Sequence, residues 1–159
     1  MRLKTRAVHI AGVTTAPNGA YMKQVARNLT DVSDGFLLNS QYLIMDRDTK
    51  YTKEFRDSLD REGVKPVRCP ARAPNCNAFA ERFVRSIKDE CLDRMILFGE
   101  ASLRRALSAH VAHYHSERNH QGLGNRLLEP IANVGSTNDP IHCRERLGGM
   151  LNYYYREAA

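Results

Sequence analysis

Gln41-Tyr42-Leu43-Ile44-Met45-Asp46 is a short apolar run of strand length that ends on a carboxylate. A strand-end Asp is one of the ligands a metal-dependent phosphoryl-transfer site needs. It is equally a residue that caps a turn through its side chain, and Asp48 and Lys50 could share that turn. The residues after the run have helical spacing. Tyr51, Phe55 and Leu59 recur at i, i+4 and i+8, which predicts a helix from about Thr52 to Glu62, stopped by Gly63.

An earlier pair of elements has the same order. Ala7 to Val13 alternates and is β-branched enough for a strand, Pro17-Asn18-Gly19 breaks it, and a helix follows through Val25, Ala26 and Leu29. Val64 to Arg68 reads as a further strand, but Pro66 cannot donate to a ladder, so this strand belongs at a sheet edge. Pro70 to Asn75 is a loop, and a long helix is predicted from about Cys76 to the region of Ile96, broken by Gly99. Leu103, Ala106 or Leu107, Val111 and Tyr114 predict another helix over about Glu100 to Ser116. Pro130 to Pro140 reads as a linker, and Arg144 to Arg146 with Leu151 to Arg156 as a short terminal helix or a mobile end.

The helix after the loop carries Glu81. At about 100° per residue, Ala80, Phe83, Val84, Ile87 and Cys91 cluster within roughly 60° of one direction and predict the packed face. Glu81, Arg85 and Lys88 form a charged stripe beside it, where a carboxylate could meet a metal while the cations reach phosphates. The competing reading is a solvated Glu81–Arg85 ion pair at i, i+4.

Composition bounds the rest. The 159 residues, 42% apolar, suit one compact core, and a formal charge of +6 suits an anionic partner such as nucleic acid. Lys65 to Arg105 holds nine Lys or Arg against five Asp or Glu, so +4 of that +6 lies around the Glu81 helix. Cys69, Cys76, Cys91 and Cys143 have no paired CxxC spacing and read as reduced thiols. With no apolar stretch of about 20 residues and no signal-peptide core after the charged amino terminus, a cytoplasmic protein with no membrane partner is expected. His110, His113, His115 and His120 raise a second metal alternative, but the lack of a Cys or carboxylate partner at ligand spacing favours a structural role.

Taken in order, these elements resemble the catalytic core of retroviral-type integrases and insertion-sequence transposases, the DDE family. Leu43-Ile44-Met45-Asp46-Arg47-Asp48 with Tyr51 resembles the family's second-Asp motif, and Pro74-Asn75-Cys76-Asn77-Ala78-Phe79-Ala80-Glu81-Arg82-Phe83 resembles its Glu motif. Thirty-four residues lie between Asp46 and Glu81, within the family's narrow range. Ser86-Ile87-Lys88 with Glu90, then Tyr114-His115 with Arg118-Asn119-His120-Gln121-Gly122-Leu123, continue the likeness over roughly Thr5 to Leu128.

The resemblance implies an α/β, ribonuclease H-like fold lacking its first strand and most of its second. It further implies a truncated core over residues 1–128 and a linker and tail over 129–159. It implies Asp46 and Glu81 as catalytic carboxylates and ligands of Mg²⁺ or Mn²⁺, and Arg85, Lys88, Arg72 and Asn77 as DNA contacts. The family's first Asp lies upstream of the segment matching Leu3 to Val8, so two ligands of three are expected, and a chain inactive alone. The alternative is a non-catalytic DNA-binding or multimerising module that modulates a full-length relative.

Overall fold

The computed structural model describes residues 1–71, 73–130, 136 and 138–156. The chain is mixed α/β and divides into two compact units, His9–Glu81 and Met1–Val8 with Arg82–Ala159, where composition alone suggests one core.

In the His9–Glu81 unit, α1 spans Gly19–Leu29. The Asn18 side chain accepts from the Tyr21 N–H at 2.9 Å, which fixes the helix start. Met22, Val25, Ala26 and Leu29 then fall on one face and are buried. Strand β1 is Tyr42–Met45, α2 is Lys53–Arg61 and β2 is Lys65–Arg68. Thr52 caps α2 through the Phe55 N–H at 3.3 Å, and Phe55 and Leu59 point into the core with Leu37, Met45 and Val64. Gly63, at φ 78°, makes the left-handed turn that lets the Val64 N–H return to the Leu59 carbonyl at 3.0 Å.

β1 and β2 pair in parallel, with Tyr42 opposite Lys65 and Leu43 opposite Pro66, and β2 is an edge as Pro66 predicts. Within β1 the side chains alternate: Met45 is buried, while Tyr42 (59% exposed) and Ile44 (36%) face outward. Parallel sheets usually have both faces covered, and this one covers a single face among the described residues.

The expected strand at Ala7 to Val13 does not form. Its alternation is a side-chain property, whereas a strand needs a neighbour for its backbone. Here the Val8 N–H is spent on His115 Nε2 at 2.9 Å, and the Ala7 carbonyl accepts from Arg2 at 2.8 Å.

The second helical region differs from expectation in length. A 3-10 turn, Pro74–Asn77, leads into α3, Ala78–Glu90, which stops six residues short of Ile96. Cys91 leaves helical geometry and is fully buried, and Arg94 Nε donates to the Asp89 carbonyl at 2.8 Å, capping the helix end. Helix α4 spans Gly99–Ser116. Phe83 from α3 meets the Tyr114 ring edge-on at 4.9 Å, with His110 beside both.

The carboxy-terminal segment is a hairpin, not a helix or a mobile end: β3, Ile141–Arg146, pairs antiparallel with β4, Leu151–Arg156. The Tyr153-Tyr154-Tyr155 run favours a strand, and Leu147, Gly148 and Gly149 at positive φ make the turn. Of the expected linker, residues 131–135 and 137 lie outside the described residues.

Candidate catalytic site

Asp46 is the residue after β1, and its placement follows from the parallel pairing. The Cys69 N–H donates to the Met45 carbonyl at 2.8 Å, and Arg47 Nε donates to the Cys69 carbonyl at 3.2 Å, so bonds on both sides of Asp46 hold the strand end. Asp46 is exposed, and its Oδ1 accepts from the Asp48 N–H at 3.1 Å, the turn that its side chain allows. One oxygen is thus partly used by the local backbone.

The turn continues in Asp48 and Lys50. Lys50 Nζ lies 2.6 Å from Asp48 Oδ2 and 4.8 Å above the Tyr51 ring, and the Lys50 N–H donates to Asp48 Oδ1 at 2.9 Å. These hydrogen bonds from Lys50 hold the Asp48 carboxyl below its ordinary range. Asp48 is therefore a committed structural carboxylate beside a less committed one.

Glu81 lies in the first turn of α3, reached through the 3-10 turn, which packs against β1. A carboxylate there is favoured by the positive end of the helix. Glu81 is exposed, and among the described residues it does not make the Glu81–Arg85 ion pair that the spacing allows. Arg85 and Lys88 follow one and two turns along the same side of α3, both exposed. Val84 is 50% exposed and belongs to this outer stripe rather than to the packed face predicted for it, which Phe83 and Ile87 supply. Asn77 ends the 3-10 turn half-buried, and Arg72 lies outside the described residues.

Asp46 and Glu81 thus fall in one compact unit, one at a strand end and one at a helix start. Whether they make a metal site depends on the donor set. Among the described residues no three His, Cys, Asp or Glu side chains stand together as ligands, so the two carboxylates do not by themselves complete a three-ligand centre.

The four histidines are taken by other partners or buried. His115 Nε2 accepts from Val8, which puts its ring proton on Nδ1, facing Glu129 at 3.6 Å. His120 Nε2 donates to the Tyr114 carbonyl at 2.8 Å. His113 Nδ1 donates to Glu117 Oε2 at 3.1 Å. His110 is fully buried with no hydrogen-bond partner for either ring nitrogen among the described residues, and burial pushes its pKa down to about 4, so the ring is neutral.

A second carboxylate centre escaped the sequence patterns. Glu117, just beyond α4, is buried and accepts two bonds from Arg146, at 2.8 and 2.7 Å, one from Arg144 at 3.4 Å, and that from His113. Glu117 stands at i+4 from His113, a carboxylate at the very spacing where the sequence reading expected none. The arginines lie 27 and 29 residues away on β3, and no local pattern points to them.

Residues 62–127 match a family model described as integrase core domain. The matched segment holds Glu81, Arg85 and Lys88 and is similar to a DDE-type integrase or transposase core, a family that acts on DNA; Asp46 lies outside it. No curated protein and no solved structure matches the chain. No helix among the described residues is long and apolar enough to cross a membrane.

Proposed function

We propose that this chain is part of a DNA strand-joining core of the DDE type, with Asp46 and Glu81 as two of its catalytic carboxylates. The observation that carries the reading is the placement of the two carboxylates, a fixed strand end and the first turn of a helix in one compact unit; Arg85 and Lys88 come later on that helix and belong to the other unit. In this reading β1 and β2 are two strands of a ribonuclease H-like sheet. Arg85 and Lys88, with Asn77 and Arg72, contact DNA, the cations through phosphates.

Mg²⁺ or Mn²⁺ is the cofactor the reading implies, and the residues described supply only part of its ligand set. A third carboxylate has to come from elsewhere before phosphoryl transfer can proceed. The isolated chain is therefore expected to bind DNA in a salt-sensitive way and to neither cleave nor join it. Donor-end cleavage and strand-transfer assays with Mg²⁺ or Mn²⁺ check this, and robust Asp46-dependent cutting by the isolated chain would overturn it.

The second reading is a non-catalytic DNA-binding or multimerising module acting on a full-length relative, and the incomplete ligand set favours it. A mixing experiment separates the two. If the chain changes the activity of a full-length relative equally well with Asp46 or with Asp46→Ala, while Arg85→Ala with Lys88→Ala abolishes the effect, the module reading holds. If the effect needs Asp46, the carboxylate is working.

A further inference from the structure

The terminal hairpin gathers aromatic and cationic side chains that the proposed strand-joining chemistry leaves unused. Alternate residues of a strand share a face, and the register puts His142, Arg144 and Arg146 of β3 beside Tyr155, Tyr153 and Leu151 of β4. None of these six side chains is acidic. Near the turn the face is closed, since Leu151 is buried and Arg146 is held by Glu117. Away from the turn it opens: Tyr153 and Tyr155 are half-buried, and His142 and Arg144 are exposed.

The open part is ordered. The Tyr153 and Tyr155 rings lie within 7° of parallel with centroids 5.6 Å apart, and the His142 ring follows at 5.8 Å from Tyr155. The Arg144 guanidinium stands 5.2 Å over the Tyr155 ring, with 42% of its side chain exposed. Glu117 offsets only one of the two arginine charges it touches. Its bonds from Arg146, at 2.8 and 2.7 Å, are shorter than its 3.4 Å bond from Arg144, so Arg144 is the cation left for a ligand. A row of flat rings beside an under-neutralised guanidinium suits a partner that carries flat rings and anions in alternation.

We propose that this face of the β3–β4 hairpin is a binding site for single-stranded DNA, with bases continuing the row of Tyr153, Tyr155 and His142 while Arg144 takes a neighbouring phosphate. A base joins such a row only with its ring face free, so the site selects unpaired nucleotides over the interior of a duplex. The choice of DNA over RNA rests on the strand-joining reading; the stacking geometry and the charge do not. The site is distinct from Arg85 and Lys88, which contact DNA from α3 in that reading.

The test uses the full chain and an oligothymidylate of about twelve nucleotides carrying 5-iodouracil, within the length a single-strand site occupies. Irradiation should link it to the hairpin at Tyr153, Tyr155 or His142, as located by peptide mapping, and this arm needs no variant to fold. Unlabelled oligothymidylate should suppress that link about tenfold more effectively than a duplex of the same length. In anisotropy titrations Tyr153→Leu with Tyr155→Leu should weaken binding about tenfold, and Tyr153→Phe with Tyr155→Phe by less than about twofold, because a phenyl ring still stacks. Arg144→Gln should lower the slope of log affinity against log salt by about 0.7, the share of one single-strand phosphate. Links that map only outside the hairpin, a duplex that suppresses the hairpin link as well as the single strand does, or a uridine oligonucleotide that binds about tenfold tighter would overturn the proposal. Duplex binding that depends on Arg85 and Lys88 would survive any of these results, whereas its failure beside an intact hairpin link would count against the strand-joining reading alone.

Discussion

The end of β1 and the end of α4 each present a carboxylate, and the two are treated in opposite ways. Glu117, beyond α4, has a side chain with no exposed surface and takes donors from His113, Arg144 and Arg146. Burial pushes its carboxyl upward, but the bonds from Arg146 and His113 outweigh that and leave it below its ordinary value. Asp46 is exposed and accepts one backbone bond, and Glu81 is exposed without the ion pair its helix allows among the described residues. A carboxylate saturated with donors is a fastening, because any new ligand must first displace them. One left at the surface on a well-held backbone remains available to a ligand.

Removing Glu117 is the largest expected disturbance. It is what joins the hairpin's arginines to α4, with Leu151 as the hairpin's one buried apolar residue among those described. Glu117→Ala would strand Arg146 and Arg144 without their acceptor and is expected to cost about 3 kcal/mol, tempered because both arginines can regain water. Denaturant unfolding measures the loss. Amide exchange should show β3 and β4 losing protection while α1 and α2 keep theirs. If the hairpin stays protected in Glu117→Ala, the fastening lies elsewhere.

A smaller effect is expected from His110, a buried ring whose two nitrogens have no hydrogen-bond partner among the described residues. Its folded pKa, about 4, lies below the ordinary 6.5, so on acidification the unfolded chain takes up a proton before the folded one. Stability attributable to this ring is therefore full above pH 6.5 and falls progressively between about 6.5 and 4, by up to ~3 kcal/mol. Glu117 acts lower: its depressed carboxyl contributes above the usual 4.5 and that contribution fades only as pH drops through its lowered value. His110→Leu should flatten the upper part of the pH–stability curve and leave the lower part. An unchanged slope between pH 6.5 and 4.5 in His110→Leu would refute this assignment.

The same contrast explains what the sequence disclosed. Periodic burial is local, so the faces Val25, Ala26, Leu29 and Phe55, Leu59 were readable, as was the edge position of β2 from Pro66. The places of Asp46 after a strand and of Glu81 near a helix start were readable because each sits at the terminus of an element with its own pattern. Ala7 to Val13 misled because alternation specifies two faces but supplies no partner strand. The hairpin was missed because its signal is divided between a Gly-Gly turn and a tyrosine run, and Glu117 because its arginines arrive from a distant strand. Cooperation between segments remote in sequence is what no local pattern encodes.

The smallest expected effect on stability belongs to the candidate site itself. Asp46→Ala removes one exposed turn hydrogen bond, while the strand end keeps the backbone bonds from Cys69 to Met45 and from Arg47 to Cys69. Glu81→Ala removes an exposed side chain from a first helical turn, and alanine is the better helix former. Each change is expected within about ±0.5 kcal/mol, the range of surface substitutions that break no buried network. Urea unfolding of both variants beside Glu117→Ala measures the ordering. A loss of ~2 kcal/mol or more at Asp46 would mean that its side chain fastens the fold much as Glu117 does. It would then cease to be an available carboxylate, and the catalytic reading would lose one of its two ligands.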